Sequence, residues 1–247
     1  MSAGGIIVSS HQPHFFPWLG YFDKMAKADL FLVNDLAQLE KQSPMVRNRI
    51  LGHDGQTLFI NVTVDRRDLM QKPNREILLK NWPETRRSLI GKLRACYRRA
   101  PYFDAVWPQV ETVLASDCER LIDLQLATID LGRTCLGIET PMRLQSEMEF
   151  EPGETTSERL AKKLEAVGAS CYLSGNGAKK YMNDTDFVSR GIRVVYQQFS
   201  YPVYPQVSGG DFVPNLSVLD ILFNCGQEES ARLFWDNVAR TQELRTP

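Results

Sequence analysis

Short apolar runs alternate with longer stretches of three- and four-residue periodicity, and that alternation predicts an α/β fold. Residues 5–9 (Gly-Ile-Ile-Val-Ser) read as a short buried strand, followed by an aromatic loop and a helix from about Trp18 to Lys27. Ala28 to Asn34 reads as a second strand. Strand, helix and strand within about thirty residues indicate a βαβ unit with a parallel pair. Thr57 to Val64 alternates roughly as a third strand, and Arg47-Asn48-Arg49 before it reads as loop. From Trp82 to Gly137 the period lengthens. Leu89, Leu93 and Tyr97, then Leu121, Leu124 and Leu131, predict two or three helices broken near Pro101 and Pro108.

Thr156 to Val167 reads as a further helix, with Thr155 or Thr156 as its cap and Gly168 just past its end. Cys171 to Ser174 reads as a strand entering Gly175-Asn176-Gly177, a small-residue loop that opens a helix containing Tyr181. Ile192 to Phe199 reads as another strand. Ser217 to Cys225 reads as an apolar helix stopped by Gly226, and the tail after Trp235 as a fraying helix. The expected architecture is a single α/β domain over residues 1–247, a mostly parallel sheet with flanking helices and a helical insertion at about 82–137.

Composition adds exclusions. The apolar share of 43% and charged share of 24% are those of a soluble globular protein. A formal net charge of -1 carries no electrostatic footprint for nucleic acid. No run approaches the roughly 18–20 apolar residues of a spanning helix. Met1 to Gly5 is small and uncharged and Ile6-Ile7-Val8 is too short for a signal core, so no signal peptide is expected. The five cysteines (Cys96, Cys118, Cys135, Cys171, Cys225) are scattered without a C-x-x-C pair. They predict a reducing cytoplasm, no disulfide frame and no cysteine-rich zinc site. The basic run Arg86, Arg87, Lys92, Arg94, Arg98 and Arg99 reads as a solvated helix face.

In open parallel sheets, ligands bind beyond the carboxyl ends of the strands. Four expected strands end in polar chemistry: Ser9-Ser10-His11-Gln12 with His14; Asn34-Asp35; Ser174-Gly175-Asn176-Gly177; and Tyr201 to Gln206. If these strands are parallel neighbours, the four loops converge on one edge. His11 is the natural proton carrier near neutral pH; the alternative is a backbone-bonded ring that stiffens a Pro-flanked loop. His11-x-x-His14 also resembles a nucleotidylyltransferase motif, but that motif has glycine where this chain has Pro13, which offers no N–H to a phosphate. A zinc site would have only the two histidines, with Asp35 or Asp23 as a fortuitous third ligand. Asp35 suits a base or a sugar-hydroxyl acceptor, with Lys41 close by. Asn48 and Arg49 suit anion capture. Backbone N–H groups of the Ser174–Gly177 loop can cradle an anion. Tyr204 and Gln206 suit a sugar or planar ring. Asp220, set among apolar neighbours, must be paired or hydrogen-bonded.

Several of these segments together resemble the WbqC-like family. They are His11-Gln12-Pro13 with Phe16-Pro17-Trp18-Leu19-Gly20-Tyr21-Phe22; Asp35 with Lys41, Asn48, Arg49 and Ile50; Tyr172 to Gly175 with Gly177, Ala178 and Tyr181; Gly191-Ile192; Tyr201 to Gln206 with Phe212; and Ser217 to Gly226. The resemblance covers about residues 6 to 228. It implies a setting in bacterial surface-polysaccharide (O-antigen) or specialised-metabolite assembly. The corresponding expectation is a transferase moving a small acyl or aminoacyl group to an amine, on an amino sugar or from a carrier protein. His11 would be the general base, with Asp35 orienting the amine or holding the acceptor. The Ser174–Gly177 loop and Arg49 would bind an anionic group, with Gln12, Lys41, Asn48, Asn176, Tyr181, Tyr204, Gln206 and Asp220 completing the pocket. Two alternatives stand beside it: nucleotidyl transfer or ATP-dependent ligation, which would need Mg²⁺, and a non-catalytic sugar-binding accessory protein. No cofactor or metal is assigned.

Overall fold

The computed structural model describes residues 5–40, 43–67, 71–151, 153–180 and 182–240. The predicted βαβ unit is there: β1 (Ile6–His11), α1 (Leu19–Ala26) and β2 (Leu30–Val33), with β1 and β2 parallel. Three more strands join them: β5 (Met142–Leu144), β6 (Ala169–Ser174) and β7 (Arg193–Tyr196). The sheet runs β5-β2-β1-β6-β7 and every neighbouring pair is parallel. The chain therefore builds outward from β1 in one direction, then returns to β1 and builds outward in the other. This is a doubly wound α/β sheet whose order reverses between β1 and β6.

Alternate residues of each strand serve opposite faces. On β2, Phe31 and Val33 enter a large core with Tyr21, Phe22 and Met25 of α1, while Leu32 enters a second core with Val8. The large core also takes Leu89 and Leu93 of α2 (Trp82–Tyr97), Val106 and Val110 of α3 (Phe103–Ala115) and Leu124 of α4 (Leu121–Cys135). The second core is closed by Ala161 and Leu164 of α5 (Thr156–Ala166) and Phe187 of α6 (Asp184–Val188). The Thr155 hydroxyl accepts the Glu158 N–H at 3.0 Å, capping α5 as its sequence predicts. Helices α1 and α4 approach closely at Gly132, where a Cβ would stand 2.2 Å from the Phe22 ring. Val218–Arg240, α7, is two helical legs meeting at Gly226, whose φ of 75° only glycine adopts without strain.

Three local expectations are corrected. Arg47-Asn48-Arg49 is not loop: β3 (Arg47–Leu51) pairs antiparallel with β4 (Thr57–Asn61) as a hairpin outside the main sheet, because Ile50, Leu51 and Ile60 have a core to enter. Pro108 does not break a helix. It lies within α3 on the exposed side, where the carbonyl it leaves unpaired can meet water, and the break falls after Ala115. The segment after Gly175 is a short 3₁₀ turn, Asn176–Lys180, rather than the start of an α-helix. The helix expected beyond Trp235 is there through Arg240, with the Trp235 indole donating to the Leu136 carbonyl at 2.8 Å.

Candidate functional site

The carboxyl ends of β2, β1, β6 and β7 lie side by side, which brings the polar ends of β1, β2 and β6 to one edge; β7 ends at Tyr196, and Tyr204 and Gln206 of the segment beyond it bond Asp220 of α7. The ends are held level: Ser9 donates to the Leu173 carbonyl at 2.8 Å, Asn34 N–H to His11 O at 2.8 Å and Gln197 N–H to Ser174 O at 2.8 Å. The crevice of a doubly wound sheet opens where strand order reverses, here between His11 of β1 and Ser174-Gly175 of β6.

Three rings meet there. His11 packs edge-to-face on His14 with centroids 4.5 Å apart, and both rest on Tyr21, at 5.1 and 5.3 Å. The His14 Nδ1 and the Tyr21 hydroxyl are buried without a hydrogen-bond partner. Burial, then the neighbouring His14, then Lys24, hold His11 well below the ordinary imidazole value. Burial and Lys24 bring His14 down to about 3. Both rings are neutral at pH 7. The His11 Nδ1 lies 3.1 Å from the Gln12 carbonyl. With the proton assigned to Nδ1 on that contact, Nε2 carries the lone pair.

Asp35 is fully buried at the end of β2, its Oδ1 accepting the Ser146 N–H at 3.0 Å and its Oδ2 without a hydrogen-bond partner. No hydrogen bond joins it to His11 among the described residues. A chain of polar side chains runs along the same edge on the α5 side: Lys163 donates to Gln145 at 2.7 Å, and Gln145 to the Ser10 hydroxyl at 2.8 Å. Ser174 is buried, and Asn176 donates from its amide to the Gln197 carbonyl at 3.0 Å, tying the β6 loop to the end of β7. Gln12 is half-buried at the start of the aromatic loop.

Other predicted binders are committed elsewhere. Asn48 gives its amide to the Phe15 and Phe16 carbonyls, at 3.3 and 2.6 Å, and so holds the aromatic loop in shape. The Arg49 guanidinium donates to the Asn215 carbonyl at 3.0 Å and reaches that of Pro214 at 3.4 Å. Tyr204, Gln206 and Asp220 bond one another, and Asp220 has the partners that its apolar setting requires. Asp220 accepts from Tyr97, Tyr204 and Gln206 at 2.8, 2.9 and 2.8 Å, and all four are buried. That node locks the start of α7 to α2 and to the 201–206 loop, with its acceptors occupied. Lys41 and Tyr181 lie outside the described residues.

Sequence reasoning missed Lys24. Its side chain is 3% exposed and its ammonium donates to the Ser10 carbonyl at 2.8 Å. Three residues on, the equally buried Lys27 is neutralised by Asp23 at 2.7 Å, and Asp23 also accepts from Gln197 at 2.7 Å. Among the described residues no carboxylate pairs with Lys24, and burial lowers its pKa to about 7. The sequence offers one signal: Asp23 stands four residues before Lys27, the spacing of a helical ion pair, while Gly20 and Tyr21 stand four and three before Lys24; that Lys24 is buried follows only from the packing of α1. Among the described residues, no three His, Cys, Asp or Glu side chains gather as a metal site, and no helix is long and apolar enough to cross a membrane.

The chain is 31% identical over 222 residues to the uncharacterised protein Rv1507c of Mycobacterium tuberculosis, covering 88% of this chain and 93% of that one. No solved structure matches. The family model described as the WbqC-like protein family matches residues 12–232, from the loop beside His11 into the second leg of α7, and the chain belongs to that family.

Proposed function

We propose that the chain is an enzyme transferring a small acyl or aminoacyl group to an amine, with His11 as general base. The observation that carries this reading is the neutral His11 imidazole at the reversal point of the sheet, at the end of the strand beside β6. The amine nitrogen attacks the acyl carbonyl and the C–N bond forms. The Nε2 lone pair takes the proton that the nitrogen sheds. The bond from the acyl carbon to the donor's oxygen or sulfur then breaks, and the proton passes to that leaving group. The unpartnered Oδ2 of Asp35 suits a hydrogen-bond donor of the acceptor, and the Ser174–Gly177 loop an anionic group of the donor. The family's setting supports an amino sugar or a specialised-metabolite amine as acceptor, and a carrier protein as one form of donor.

The test is His11→Ala assayed against acyl donors and amino sugars. Turnover should vanish while the melting temperature holds. Retained turnover, or loss of folding in step with activity, would defeat the assignment.

A second reading, nucleotidyl transfer or ATP-dependent ligation, has the strand order in its favour, since such sheets hold nucleotides at the reversal point. Pro13 stands against it, as does the absence of a G-x-G-x-x-G or Walker sequence after β1 or β6. Melting temperatures with ATP, CTP and UDP-sugars in the presence of Mg²⁺ separate the two; no shift with any nucleotide removes this second reading.

A further inference from the structure

We propose that the Lys24 ammonium, at the crevice between the ends of β1 and β6, is the cation that holds an oxyanion of the substrate, a phosphate or a carboxylate. The inference rests on reading this edge as the substrate site, and it supplies the positive charge that Arg49 does not bring there.

Charge balance is the first support. An ammonium removed from water costs several kcal/mol unless an opposite charge meets it. On the same helix the protein meets that requirement for Lys27 with Asp23. Among the described residues Lys24 instead has one neutral acceptor, the Ser10 carbonyl, and an ammonium carries three donors. Access is the second. Gly175 begins the loop across the crevice, and a Cβ built there would meet the Lys24 nitrogen at 3.9 Å, so glycine at this position keeps a side chain out of the space beside the cation. The third support is independent of charge. The unpartnered His14 Nδ1 and Tyr21 hydroxyl are buried in the ring cluster on which the Lys24 charge acts, and an oxyanion is an acceptor for the Tyr21 O–H. A phosphate or carboxylate beside Lys24 would also lie on the side of β1 that carries His11, as a donor group must if that ring is to take a proton from the attacking amine.

Calorimetric titration of the full chain with sodium phosphate and with sodium acetate, against sodium chloride at equal ionic strength, tests this. The wild type should bind one of the two saturably. Lys24→Met should weaken that binding by about tenfold or more, the range of a charge-assisted hydrogen bond, and Lys24→Arg should retain most of it. The tighter anion tells phosphate from carboxylate. No saturable binding by the wild type, or equal binding by Lys24→Met, overturns the proposal. If Lys24→Met does not fold, lysine-labelled wild type read by NMR, with Lys24→Arg identifying the resonance, decides it: a Lys24 signal unmoved by either anion overturns the proposal. Binding needs no turnover, so Lys24-dependent binding together with an active His11→Ala enzyme would defeat only the acyl-transfer reading.

Discussion

Replacing Lys24 with methionine should stabilise the protein at neutral pH, and the gain should disappear as the pH rises. Burial brings the Lys24 ammonium from the ordinary 10.5 down to about 7. At about 1.4 kcal/mol per tenfold change in proton affinity, that drop corresponds to roughly 5 kcal/mol. The unfolded lysine takes up its proton as the pH falls through 10.5, whereas the folded one does so only near 7. Stability is therefore lost between those two values, and the loss is complete below pH 7. Methionine has a similar length and no charge. It forfeits the hydrogen bond to the Ser10 carbonyl, worth about 1–2 kcal/mol. The net gain at pH 7 is about 3 kcal/mol, or roughly 6–12 °C in a chain of this size. Near pH 10.5 the sign reverses and the variant is the less stable by about 1 kcal/mol, the worth of the lost hydrogen bond. His11 and His14 face the same ammonium, but both are held below the ordinary imidazole value and titrate outside this window. Thermal and urea unfolding of both proteins at pH 7, 8, 9 and 10, at constant ionic strength, measures the difference. A variant less stable than wild type at pH 7, or a difference that does not shrink with pH, would refute the reasoning.

Asp220→Ala leaves the Tyr97 and Tyr204 hydroxyls and the Gln206 amide without their shared acceptor, so urea unfolding should show a loss of about 3–5 kcal/mol; a loss under about 1 kcal/mol would mean the node relaxes without cost. Gly132→Ala drives a methyl against the fully buried Phe22 ring at the contact of α1 and α4, and should lower stability by about 1–3 kcal/mol despite alanine's better helix propensity; an unchanged or higher melting temperature would contradict that packing.

Elements that could be read from the sequence are those whose burial leaves a periodic trace. β1, β2 and β6 are short apolar runs ending in polar or small residues, and α5 begins with a threonine cap. β3 could not be read that way. Arg47, Asn48 and Arg49 show no alternation, and the strand exists because Ile50 and Leu51 enter a core assembled from distant residues. β5 has three residues, too few for any period. The site divides along the same line. His11, Ser174 and Asp35 announce themselves as polar groups at strand ends. Lys24 does not, because its position beside Ser10 and Gly175 depends on the parallel pairing of β1 with β6. The sequence marks Asp220 as a polar group needing partners and Tyr204 and Gln206 as suited to a sugar or planar ring, but composition alone does not show that the three bond one another.

The place of β1 in the sheet also constrains how the molecule is made. Its partner β2 follows at once, but on the other side Ser9 waits for Leu173, 164 residues later. During synthesis the first strand therefore emerges with one edge zipped and the other bare through all of α2, α3 and α4. Parallel pairing over so long a span is slow to close, and a bare edge invites foreign strands. Folding of the nascent chain should be limited by the arrival of β6, and a ribosome-stalled product ending before residue 169 should be a better chaperone client than the finished protein.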